Sequence, residues 1–223
     1  MSDHRVEQAI LNGLPEAIGP AAHYDVTVMG ARRQDAGVIE MDRVHVLGAR
    51  VQRRGAPVLD KVEADLTDVQ VDRKQKMLTA LTGADVRISV RATDVAAFLQ
   101  ERGVLEDVKV TFHESDVISI TAHPVVAGFS LPASARVSLR GYLMPDGSQL
   151  RLNITDLRAA GYPVGTIPTL IVERLINPLV DLSALPVPTE VTSARVVGRD
   201  LIVAAHGSQF KAQPVRGALR DMY

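Results

Sequence analysis

The chain of 223 residues contains no cysteine and no tryptophan. The first absence excludes disulfides, thiolate nucleophiles and cysteine-based zinc sites. The second, with aromatics at only 4%, leaves the core to Val, Leu, Ile and Ala. It also leaves any binding surface short of the rigid rings that discriminate by shape. Excess charge is missing too. Lys and Arg total 25 against 26 Asp and Glu, for a net charge of −1. That balance disfavours a protein that works by neutralising nucleic-acid phosphates. No apolar run approaches the roughly 18 residues of a membrane-crossing helix. Residues Met1 to Gln8 show no basic stretch leading into an apolar one, so no signal peptide is visible. The expected location is the cytoplasm or, peripherally, the inner face of a membrane.

Catalytic and cofactor motifs are equally scarce. There is no Gly-x-Gly-x-x-Gly, no phosphate loop and no His-x-x-x-His. Gly128-Phe129-Ser130 lacks the second glycine of a nucleophile elbow. His113-Glu114-Ser115-Asp116 gathers ligand-type side chains on what reads as one turn, whereas metal sites draw on converging elements. No enzyme activity, metal or cofactor is expected.

What is present is period-2 alternation, the mark of half-buried strands. Val86, Ile88 and Val90 oppose Arg87, Ser89 and Arg91. Val108, Val110 and Phe112 repeat the pattern, as do Ile118, Ile120 and Ala122. The stretch Ala133 to Leu143 puts Ala135, Val137, Leu139 and Leu143 on one side, and Leu150, Leu152 and Ile154 follow. The frame slips at Thr67-Asp68 and again at Leu47-Gly48, which predicts bulges or bends. Pro145-Asp146-Gly147, Glu114-Ser115-Asp116 and Gly198-Arg199-Asp200 predict hairpins, and short connections mean antiparallel pairing. Three segments carry helical spacing. Val6, Ile10, Leu14 and Ile18 recur every four residues, with Pro15 expected to bend or interrupt them. Thr93 is placed to cap a helix over Asp94 to Arg102, stopped by Gly103. Between Pro168 and Asp181 a wide apolar stripe of Leu170, Ile171, Leu175, Leu179 and Val180 faces a narrow polar one of Glu173 and Asn177.

Many one-sided strands and few helices leave two architectures. Two sheets can pack face to face, or one long sheet can curl around the apolar helices. The wide stripe and the frame slips favour the second. The expected fold is therefore α+β: a long, strongly curved antiparallel sheet wrapped around one or two apolar helices. Nothing divides the chain, so residues 1–208 are expected to form one domain and residues 209–223 a C-terminal tail.

Some stretches resemble the LmeA-like phospholipid-binding family of bacteria. They are Gly161-Tyr162-Pro163-Val164-Gly165-Thr166-Ile167-Pro168, Leu175-Ile176-Asn177-Pro178, Asp181-Leu182, Leu185-Pro186, Val191 and the hairpin to Leu201-Ile202-Val203. Ala92-Thr93-Asp94 before Phe98-Leu99 is similar to that family's short helix entry, and the strands from Val44 to Val71 to its N-terminal half. The likeness spans about Tyr24 to His206 and is carried by order and spacing. The family is related in shape to the tubular lipid-binding proteins, where a curved sheet wraps a helix and holds lipid tails. The resemblance thus implies a protein that holds phospholipid or fatty-acyl tails in an aliphatic tunnel and transfers lipid between membranes. The expected lining is Leu170, Ile171, Leu175 and Leu179 from the helix, with Val86, Ile88, Val137, Leu139, Leu150 and Leu152 from strands. Arg50, Arg53 and Arg54, with Arg32 and Arg33, cluster near turns. They would meet phosphate head groups or an anionic surface, or form a solvated loop. The expected partners are a phospholipid or fatty acid and the surface of a membrane; nucleic acid is not expected, and a homodimer stays open. The alternative is a ligand-free structural or interaction module that binds a protein through its sheet surface.

Overall fold

A computed structural model describes residues 3–33, 37–53, 55–72, 77–114, 116–126, 129–130, 136–183, 185 and 187–208. Arg54, Ser115, Gly128, the start of the strand expected from Ala133, and the tail at 209–223 lie outside these residues. In chain order the first elements are α1 (Asp3–Ala17), β1 (His23–Met29), β2 (Arg32–Arg33), β3 (Val38–Val51), β4 (Leu59–Asp72), β5 (Met77–Ala80) and β6 (Gly83–Arg91). Next come α2 (Ala92–Glu101), β7 (Leu105–His113), β8 (Val117–Val126), β9 (Phe129–Ser130), β10 (Val137–Asp146) and β11 (Gln149–Ala159). The last are β12 (Tyr162–Pro163), α3 (Thr166–Ile176), β13 (Val180–Asp181), β14 (Glu190–Val197) and β15 (Asp200–Gly207).

The architecture is α+β with curved, open antiparallel sheets, and the strands are divided between two of them. The first sheet runs β1-β3-β4-β6-β15-β14, with β2 on β3 and β5 on β4. The second runs β12-β11-β10-β8-β7, with β13 on β11 and β9 on β8. β14 ties the two together. Its Val191 N–H donates to Gly147 O, and its Val196 N–H to Asp116 Oδ1, each at 2.8 Å. Asp116 and Gly147 lie in hairpin connections of the second sheet, so the expected turns also serve as the seam between sheets.

The alternating strands form where the pattern predicts. Ala84, Val86, Ile88 and Val90 of β6 are buried, and so are Leu150, Leu152 and Ile154 of β11. β3 and β4 keep one register from Val38 opposite Asp72 to Val51 opposite Leu59, skipping the positions of Asp42 and Arg50. Asp68 (φ +51°) and Arg50 (φ +54°) have left-handed backbones at those two skips. In β3 the buried side changes between Met41 and Val44, then between Gly48 and Val51. The second slip thus falls at Ala49-Arg50, two residues beyond Leu47-Gly48. Gly48 hides it. A Cβ there would come within 2.8 Å of the Tyr24 ring, so an inward-facing position holds a residue that looks like a break.

All three helices depart from expectation. α3 runs from Thr166 to Ile176, so Leu179 falls beyond the helix and Val180 pairs with Leu150 as part of β13. α1 continues through Pro15 to Ala17, and Ile18 N–H still donates to Leu14 O at 2.8 Å. α2 begins at Ala92, not after Thr93; Arg91 holds the N-cap position without a side-chain cap bond. A different contact fixes that end: Asp94, 9% exposed, takes two hydrogen bonds from Arg50 at 2.6 and 2.9 Å.

Among the described residues, the buried apolar side chains fall into two clusters. The larger joins the inner faces of both sheets with α2 and the end of α3, around Ile88, Leu99, Ile118, Ile120, Leu150 and Leu201. The smaller lies under α1, where Val6 and Leu14 meet Val26, Val28, Ile39, Val44 and Val69.

Candidate functional site

Val6, Ile10 and Leu14 stand on one face of α1 and, with Ile18 just past its end, point at the first sheet. Glu7 Oε1 accepts from Val28 N–H at 3.0 Å and Asp3 Oδ1 from Ala31 N–H at 3.2 Å, which ties the helix to β1 and the turn after it. The helix does not close fully on the strands. A cavity of about 170 Å3 remains between them. Its walls are α1, the inward side chains of β3 and β4, Leu78, Val86, and Leu185, Val187 and Thr189. Among the described residues, Thr189 is the one polar side chain in that wall, and its Oγ1 is buried without a hydrogen-bond partner. The skip opposite Asp42 sits within this wall, turning Leu66 and Val69 to the same side.

One end of the cavity is built by the chain leaving α1. Gly19 has φ +136°, and a Cβ there would stand 2.2 Å from Gln52 O and 3.3 Å from Arg53 Cγ. Gln52 N–H donates to Pro20 O at 2.8 Å, and the Tyr24 hydroxyl to Gly19 O at 2.7 Å. Arg53 is therefore held one residue beyond Ile18, a cavity residue. Its Nη1 is buried with no hydrogen-bond partner among the described residues. Burial pushes the Arg53 pKa down, and the nearby Asp181 charge opposes that shift. Burial pushes the Tyr24 hydroxyl up to about 12, although Arg53 pulls the other way. Burial also works against ionised Asp181, but hydrogen bonds involving Ser183 and Gln149 and the Arg53 charge outweigh it and hold the carboxyl below its usual range.

The expected arginines thus differ in employment. Arg50 is occupied by Asp94 and by Asp60 at 3.5 Å. Arg53 keeps a donor unused.

The ten residues expected to line a cavity separate into three groups. Val86 lies in the cavity wall. Ile88, Leu139, Leu150, Leu152 and Leu179 are buried in the larger core, and Val137 packs half-buried against it. Leu170, Ile171 and Leu175 are 52, 55 and 45% exposed, so α3 turns them away from the protein. The helix over the cavity is α1, whose four-residue spacing is plain in the sequence but is discounted by Pro15.

Two polar groupings bring chemistry-bearing side chains together elsewhere. His45, Glu63 and Asp65 bring ligand atoms within 4.8 Å of one another. Asp65, however, already accepts from Arg43 Nη2 at 2.7 Å and Nε at 3.0 Å. A polar depression on the second sheet includes His113, Arg140 and Asp156, and His113 Nε2 lies 2.9 Å from Ser119 Oγ. No third group orients His113 among the described hydrogen bonds.

No helix among the described residues is long and apolar enough to cross a membrane. No curated protein and no solved structure matches the chain. The sequence profile of the LmeA-like phospholipid-binding family matches residues 3–206. With that match running from the first turn of α1 into the last strand, the chain belongs to the LmeA-like phospholipid-binding family.

Proposed function

We propose that this protein carries a phospholipid or fatty acid, with an acyl tail held between α1 and the first sheet. The observation that supports this reading is the wall of the cavity, which is aliphatic from end to end apart from Thr189. A void of about 170 Å3 compares with the roughly 150 Å3 that takes a benzene-sized guest. It therefore accepts a segment of one tail. Admitting the rest requires α1 to move outward, and the ties at Asp3 and Glu7 set the resistance to that motion. Leu185 and Val187 lengthen the same greasy passage. The head group stays at the Gly19 end, where Arg53 supplies an unused N–H donor to a phosphate.

The energetics suit transfer. Burying about 20 methylenes at ~0.8 kcal/mol each releases on the order of 16 kcal/mol relative to water. A bilayer returns nearly the same, so the net preference is small and exchange runs both ways. The protein lowers the barrier to crossing water between membranes. With few rings in the chain, selectivity among tails is low.

Solvent extraction of the purified protein followed by mass spectrometry tests the reading directly. A co-purifying lipid is expected, as is uptake of a fluorescent phosphatidylglycerol that Ala64→Phe abolishes. Protein that is free of lipid and takes up none would refute it.

A further inference from the structure

α3 places its polar stripe inward. Glu173 Oε1 accepts from Ile154 N–H at 2.8 Å. Asn177 accepts from Leu152 N–H at 2.7 Å and donates to Leu152 O at 2.8 Å. These bonds fill the stretch of β11 edge left between β13, which pairs with Gln149 and Leu150, and β12, which pairs with Arg158 and Ala159. Ile176 is buried beside them. The orientation of the helix is thereby locked, and it commits Leu170, Ile171 and Leu175 to solvent. Tyr162, just before the helix, is 77% exposed. Glu173, the only acid in α3, is turned in, while Arg174 is exposed on the same helix. Arg102 caps the far end, donating to Leu175 O and, at 3.4 Å, to Pro178 O.

We infer that this face of α3 is the surface by which the protein docks on a phospholipid bilayer rich in anionic head groups. The inference rests on the lipid-carrier reading, since a carrier must meet the membrane that supplies its cargo. Leu170, Ile171 and Leu175 enter the interfacial zone, as apolar faces of surface-lying helices do. Tyr162 takes the boundary position that its amphipathic ring favours. The exposed Arg174 meets the lipid phosphates.

The test uses vesicles of phosphatidylcholine with and without phosphatidylglycerol. The full chain is expected to float with the vesicles, more strongly when phosphatidylglycerol is present. The double variant Leu170→Gln, Leu175→Gln is expected to bind about thirtyfold more weakly, from two side chains each moving only partly out of water. The tryptophan-free sequence offers a second readout. Ile171→Trp should shift to the blue on vesicles and be quenched by bromine-labelled acyl chains, while Met29→Trp on β1 should do neither. The double variant should still take up fluorescent phospholipid in solution. If the wild type floats but takes up no lipid, the carrier reading fails and the docking surface stands. If it takes up lipid but neither floats nor shows quenching at Ile171→Trp, the docking surface is overturned. It is equally overturned if light scattering finds a dimer that the double variant breaks. A chain ending at Ser208 gives the last outcome: if Ile171→Trp becomes exposed only then, the C-terminal residues cover α3 and the inference falls.

Discussion

α1 and α3 cover the two sheets in opposite ways. α1 lies on a sheet face and offers it Val6 and Leu14; α3 lies along a sheet edge and offers it Glu173 and Asn177. A face is satisfied by apolar area, an edge by donors and acceptors. An apolar stripe on a helix therefore foretells burial only when the surface beneath is apolar too. The packing differs in the same sense. Around Leu150 and Ile120 the interior is closed at 0 and 1% exposure, whereas α1 leaves space above β3 and β4.

Matched substitutions put that contrast to the test. Leu150→Ala, in the closed region, should cost about 4 kcal/mol in urea unfolding. Asn177→Ala should cost about 3 kcal/mol, because it strips partners from both the N–H and the C=O of Leu152 in a buried setting. A loss under 1 kcal/mol would mean that the edge contact does not hold α3. Leu14→Ala should cost only about 2 kcal/mol, since its surroundings are already incompletely filled; a cost equal to that of Leu150→Ala would erase the contrast. Ala64→Phe should change stability by less than about 1 kcal/mol, where the same enlargement in a filled core costs about 1–3 kcal/mol. The smallest effect is that of acid. The folded pKa of Asp181 lies below its unfolded value of about 3.9. Its contribution is complete above that value and disappears as pH falls through the folded one. The melting temperature of Asp181→Asn should accordingly fall less than that of the wild type on acidification, and a parallel fall would remove Asp181 from the account.

Much of the strand framework is legible because its cause is local. β6 and β11 alternate cleanly, and the hairpins at Gly147 and Gly198 follow from turn chemistry with φ of +58° and +64°. The curvature is half legible: the slip at Asp68 shows in the residues, while that at Arg50 is masked by Gly48 beneath Tyr24. The cavity is the least legible part. Spacing names the apolar face of α3 but not that the unpaired edge of β11 competes for its polar stripe. Pro15 argues locally against the helix that tertiary contacts with β1 and β3 nevertheless support. The division of labour between Arg50 and Arg53 depends on Asp94, 44 residues from Arg50 in the chain, and no local pattern carries it.

The seam at β14 has a consequence for association. β14 is the outermost strand of the first sheet, and an open outer strand invites a neighbouring molecule to continue the ladder. Here two of its amides are already bound to Gly147 and Asp116 within the same molecule. Fibre growth from that side would first have to tear the two halves of the protein apart, so the seam doubles as a guard against runaway polymerisation.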